Sequence, residues 1–129
     1  MSNLQCVVVT PERTELDVPA DSITVPLFDG EMGILKGHSP VVGRLGLGLL
    51  RIKNGGTSQS YFVEGGFVQV ANNVVSILTD KVINASQLTS AFASQAMHDA
   101  LALPTSQPEF RVAREKAIAR ARALERVTA

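Results

Sequence analysis

The chain has 129 residues, 12 basic and 12 acidic side chains, 45% apolar residues and one cysteine. That length predicts one compact domain with at most a small appendix. The apolar content excludes a disordered chain, and the zero net charge argues against a general nucleic-acid binder. No apolar run reaches the roughly 18 residues of a membrane helix. A lone Cys6 allows no internal disulfide, which fits a reducing compartment. Met1 to Gln5 carry neither the basic stretch nor the apolar core of a leader, so a chain without one is expected.

Composition changes near residue 84. Residues 1–84 hold all ten glycines and four of the six prolines, whereas 85–129 have no glycine and are rich in alanine, the strongest helix former. Charge splits too. From Glu109 onward six basic side chains face three acidic ones, so that segment is +3 and the rest of the chain −3. Two domains are therefore expected, a β domain over 1–84 and a two-helix domain over 85–129.

Leu4 to Val9 is a β-branched run stopped by Thr10-Pro11-Glu12 and predicts a strand. Ser22 to Val25 alternates polar and apolar before Pro26, as a half-buried strand does. Gly30 to Pro40 reads two ways. Its three glycines can shape a loop that displays Met32, Ile34 and Leu35 as a docking surface, or a turn can bury those side chains in the domain's own core. Leu47–Ile52 and Ser60–Val63 flank Asn54-Gly55-Gly56, a hairpin signal. Phe67–Val70 and Val74–Leu78 follow, separated by Asn72-Asn73. Short strands at this spacing predict an antiparallel sandwich or barrel.

For the first helix, Asn84 and Gln87 stand as in a capping box, with Ser86 an equal candidate for the cap. Leu88, Phe92, Ala96 and Ala100 form its expected apolar stripe, up to Leu103. Pro104 to Pro108 break the chain, and a second helix starts near Pro108-Glu109 with the stripe Phe110, Ala113, Ala117, Ala121, Leu124. Two alanine-rich helices predict a hairpin, too poor in large apolar groups to fold unaided.

Catalytic patterns are missing. The two histidines, His38 and His98, have no ligand-spaced companions, and Cys6 sits in an apolar strand. Gly37-His38-Ser39-Pro40 is not a nucleophile elbow, and no glycine run has phosphate-loop or dinucleotide spacing. Asp29 and Glu31 lie beside glycines, where solvation is the plainer reading. The chain is expected to be an interaction protein and not an enzyme.

Gly30-Glu31-Met32-Gly33-Ile34-Leu35-Lys36-Gly37-His38-Ser39-Pro40 resembles the G-E-M/L-G-I/V-L-P-G-H-A-P signature of the epsilon-subunit family of bacterial F-type ATP synthases. Val8 to Glu12 is similar to that family's opening strand, and Gly48-Leu49-Leu50-Arg51-Ile52 to its G-x-V/L/M-R-I strand. Val63 to Val70 is similar to its S-G-G-F-x-E-V strand, and Lys116 to Ala121 to its alanine-rich last helix. Lys36 and Ser39 depart from the signature, mildly.

The resemblance implies a ten-stranded β-sandwich followed by a helical hairpin. It implies a non-catalytic rotor subunit that helps couple proton flow to ATP synthesis, bound to the gamma subunit and to the c-subunit ring. On it, Glu31, Met32 and His38 are the candidate ring and gamma contacts. It also implies a tail that can extend toward the catalytic alpha/beta head and inhibit ATP hydrolysis, with Arg111, Arg114, Arg120 and Arg122 as candidate contacts to an acidic surface there. A solvated helix face is the plainer reading of those arginines. Some members bind ATP through I/L-D-x-x-R-A, but here Thr89 and Phe92 replace the Asp and Arg, so no cofactor is expected. No metal and no nucleic acid are expected either. The location implied is the cytoplasmic face of a bacterial inner membrane, with membrane association indirect, through the complex. A free-standing adaptor or ligand-sensing module of the same fold is the alternative.

Overall fold

The computed structural model describes residues 4–128. It divides into two compact units, 1–85 and 86–129.

Among the described residues the first unit has ten strands: β1 Leu4–Val9, β2 Thr14–Ala20, β3 Ser22–Leu27, β4 Gly30–Leu35, β5 Val41–Arg44, β6 Leu47–Asn54, β7 Thr57–Glu64, β8 Phe67–Ala71, β9 Val74–Leu78 and β10 Val82–Asn84. They form two five-stranded sheets, ordered β2-β1-β9-β8-β5 and β10-β7-β6-β3-β4. Every pairing is antiparallel except β1 with β9, which run parallel. Most strands turn one apolar side inward, and these sides make one core that includes Val8, Ile23, Ile34, Leu50, Val68 and Ile77, with Val41 of β5 and Val82 of β10 partly buried against it.

Turn chemistry sets the registers. Gly55 and Gly56, with φ of 57° and 85°, join β6 to β7 in the two-residue loop that matches strand twist. Asn72 and Asn73 do the same for β8 and β9 with φ of 52° and 62°, since asparagine tolerates the left-handed region. Asp21 locks the first of these loops by accepting from the Gly55 N–H at 2.8 Å.

Two expectations change. Strand β3 does not stop before Pro26 but runs through it to Leu27. Its register with β6 ends at Thr24 and Arg51, so the missing N–H of Pro26 breaks no ladder there. The Pro26 carbonyl instead accepts from the Gly46 N–H at 3.0 Å. Residues 30–35 are a strand and not a loop, because Met32 and Ile34 alternate inward against Glu31, Gly33 and Leu35.

The second unit is a helical hairpin, α1 Ser90–Leu101 and α2 Pro108–Thr128, packed on each other. The cap of α1 is neither Asn84 nor Ser86. Residues 85–87 form a separate 3-10 turn, and the Thr89 hydroxyl accepts from the Phe92 N–H at 3.0 Å. The helix buries Ala93 and Ala100 and leaves Phe92 exposed, so of the expected stripe Ala100 faces inward and Phe92 does not. In α2 the expected stripe is buried at Ala121 and Leu124, whereas Phe110 and Ala113 are exposed.

Candidate functional site

Strand β4 is the outermost strand of the second sheet, so one of its backbone edges has no partner strand in that sheet. Glu31 stands near its start on the outer face. Its carboxylate lies 3.5 Å from the Arg51 guanidinium, reaching across β3 to β6. Both side chains are about half exposed, so the pair contributes at most about 1 kcal/mol and the carboxylate remains available to a partner. The ion pair joins the two blocks quoted above, Gly30–Pro40 and Gly48–Ile52.

Met32 points the other way, packed against the sandwich core, so little of it can meet a partner. His38 follows β4 in a turn closed by its own N–H donating to the Leu35 carbonyl at 3.1 Å. Its Nδ1 is 2.7 Å from the Ser39 carbonyl oxygen, which makes that nitrogen the protonated one. The turn is tied to the β8–β9 loop, where Asn73 accepts from the Gly37 N–H at 2.8 Å. Glu31 and His38 are therefore separated by the length of β4. They mark two ends of one sheet edge rather than a cluster.

A further surface was not singled out from sequence. On the outer face of the first sheet, cross-strand pairs place Arg44 beside Phe67, Phe67 beside Leu78, and Val42 beside Gln69. Val42 is 70% exposed, Phe67 58% and Leu78 50%. At the strip's edge the Arg44 guanidinium stacks on the exposed Phe28 ring, 4.6 Å from its centroid. Phe67 and Leu78 are direct cross-strand neighbours, with Val42 one row along against Gln69, and exposed apolar side chains so grouped make this face a candidate contact surface.

The α2 arginines do not share one side. At about 100° per residue Arg111, Arg114 and Arg122 fall within an arc of roughly 80°, and Arg120 lies opposite. Arg114 and Arg120 are both half-buried: Arg120 lies on the side that carries Ala123 and Leu124, and the Nε of Arg114 is enclosed without a hydrogen-bond partner among the described residues. Arg111, Arg114 and Arg122 form no ion pair among the described residues. Thr89, at the degenerate ATP motif, has its hydroxyl engaged as the α1 cap.

Among the described residues no three His, Cys, Asp or Glu side chains could together hold a metal ion. No helix there is long and apolar enough to cross a membrane. Burial, aided by the charge of Asp17, pushes the Cys6 thiol from its ordinary 9.0 up to about 12, which makes it an inert core group. What the two units offer is contact surface: a sheet edge, an apolar sheet face and a basic helix. They define a protein built to bind partners.

Residues 3–85 match the family described as the ATP synthase, delta/epsilon chain, beta-sandwich domain. The ATP synthase epsilon chain of Rhodopirellula baltica is 45% identical over 120 residues, covering 93% of this chain and 94% of the relative. A subunit in the cryo-EM structure of the Euglena gracilis mitochondrial ATP synthase OSCP/F1/c-ring assembly superimposes with a TM-score of 0.84 at 26% identity, covering 98% of this chain and 81% of that one. A subunit of the Tetrahymena thermophila mitochondrial ATP synthase central stalk and c-ring shares the fold, with a TM-score of 0.74 at 15% identity over 98% of this chain and 97% of that one. The chain belongs to the ATP synthase delta/epsilon chain family, among its non-catalytic epsilon subunits.

Proposed function

We propose that the chain works in the central stalk as part of the rotor, helping to couple proton flow across a membrane to ATP synthesis from ADP and phosphate. It docks on the gamma subunit through the outer face of the first sheet. The β4 edge, with Glu31 at one end and His38 at the other, meets the c-subunit ring. The observation that carries this reading is the exposed strip of Val42, Phe67 and Leu78, an apolar surface that a free module in water would not keep bare. Its place is peripheral, on the cytoplasmic face of a bacterial inner membrane, held there by the complex.

Arg111, Arg114 and Arg122 supply the contact with the catalytic alpha/beta head. An exposed pair at Arg111 or Arg122 contributes at most about 1 kcal/mol, so a brake on hydrolysis needs the half-buried Arg114 as well. The test is ATP hydrolysis by the cognate catalytic head with gamma, alone, with the full chain, and with Arg111→Ala/Arg114→Ala/Arg122→Ala. Inhibition by the full chain and its relief in the triple variant, with binding retained, is the expected result. Binding by both without inhibition removes the brake and keeps the stalk role. Failure of the full chain to bind refutes the stalk role itself.

A further inference from the structure

Resting on the reading of the first sheet's outer face as the gamma surface, we propose that a hollow at the end of that face anchors one long basic side chain, a lysine or arginine, of the partner. The hollow holds about 440 Å³ and is walled by Pro11, Gly66, Phe67 and Leu78, with Asp80 at its mouth. Its shape depends on Gly66. That residue has φ +104°, and a Cβ there would lie 1.9 Å from the Leu78 carbonyl oxygen, so the close approach of β8 and β9 beside the hollow admits no side chain at this position.

The two hydroxyls that line the hollow are committed inward. Thr10 donates to the Arg13 carbonyl at 3.2 Å, and Thr79 accepts from the Glu64 N–H at 3.2 Å. The walls therefore present carbon. Among the side chains that line the hollow, the exposed Asp80 carboxylate is the uncommitted polar one, making no hydrogen bond or ion pair among the described residues.

Carbon walls ending in a carboxylate fit a side chain with an aliphatic stem and a cationic head. A purely apolar side chain would satisfy the walls but bring nothing to Asp80, and an acidic one would be repelled. On the same face stands Arg44, paired across the strands with Phe67 and stacked on Phe28. The row runs from Arg44 through Phe67 and Leu78 to Val9, and Asp80 lies two residues past Leu78, beyond the end of β9, so the face carries a cation at one place and an anion at another. A partner segment can satisfy both in one direction only, its base toward Asp80 and its acid toward Arg44.

The test measures binding of the full chain to the cognate gamma subunit at low and high salt. It compares wild type, Asp80→Ala, Asp80→Lys and Val42→Glu, each checked for native circular dichroism. Asp80→Ala should weaken binding about fivefold, with the loss shrinking at high salt, and Asp80→Lys should weaken it further. Val42→Glu, on the same face but outside the hollow, should weaken binding more than tenfold at both salt concentrations. If Val42→Glu weakens binding while Asp80→Ala binds as wild type, the anchor is refuted and the face stands, whatever Asp80→Lys does. If the Asp80 variants weaken binding and Val42→Glu does not, the hollow is a contact and the face reading falls. If all three bind as wild type, both fall.

Discussion

Gly65 and Gly66 are neighbours at the β7–β8 corner, yet alanine should be mild at the first and severe at the second. Both have positive φ, 74° and 104°. A side chain there costs about 1–2 kcal/mol at either position. At Gly65 little else is lost, because a Cβ would meet nothing within 4 Å. At Gly66 the new carbon would fall 1.9 Å from the Leu78 carbonyl oxygen, 2.9 Å from its carbon and 3.0 Å from the Thr79 Cα. All three are backbone atoms, so no rotamer change can make room. Strands β8 and β9 must part where Phe67 pairs with Leu78. The moving peptide also carries the carbonyl that accepts from the Leu45 N–H at 2.8 Å. Two weakened backbone bonds, at about 1 kcal/mol net each, raise the total for Gly66→Ala to about 3–4 kcal/mol. A domain has about 5–15 kcal/mol of stability in all. At about 4–8 °C per kcal/mol the two variants should melt about 10 °C apart. Far-UV circular dichroism reports the melt, with fluorescence of the single tyrosine, Tyr61, as a second probe in a chain without tryptophan. Melting of Gly66→Ala within about 2 °C of Gly65→Ala would refute the reasoning from close backbone approach.

Other expectations follow from single contacts. Thr89→Ala should remove the α1 cap and destabilise the hairpin by about 1 kcal/mol, while Thr89→Ser and Thr89→Asp should not; helical ellipticity on urea titration separates them. Cys6 should resist a thiol reagent at pH 8 in the native chain and react once unfolded. Because its folded pKa, about 12, lies above the ordinary thiol value of 9.0, the native state holds the proton longer than the unfolded one. Stability should hold below pH 9 and fall as pH rises from 9 to 12, a decline that Cys6→Ala makes shallower. Calorimetric titration with ATP should show no micromolar binding, since Thr89 and Phe92 supply neither the charge nor the phosphate partner of the motif; a well-fitted micromolar isotherm would overturn that.

Much of the fold was legible from residues alone. Turn pairs Gly55-Gly56 and Asn72-Asn73 located two hairpins, and β-branched runs gave β1, β8 and β9. Four strands escaped that reading for identifiable reasons. Strand β2 carries Pro19 and two acids, tolerable because it is an edge strand. Strands β5 and β10 are four and three residues long, too short for a pattern. Strand β4 is half glycine and exposed residues, and only Ile34 is buried. On α1 the cap is Thr89 rather than Asn84 or Ser86, and of the expected stripe Ala100 is buried whereas Phe92 is exposed and its neighbour Ala93 is buried in its place.

The contact face was harder to read, and the reason lies in strand geometry. A sandwich needs one apolar side per strand, so Val68 and Val70, or Val75 and Ile77, account for the core. The remaining apolar residues have the opposite parity: Val42 next to Val41, Phe67 next to Val68, Leu78 next to Ile77. In one strand such a neighbour passes for ordinary hydrophobicity. Three of them in β5, β8 and β9 become a surface only once the cross-strand register puts those strands side by side. Doubled apolar parity in adjacent strands of a two-layer domain is thus the signal that a third layer belongs on that sheet. Under the proposed stalk role that layer is a helix or strand of the gamma subunit.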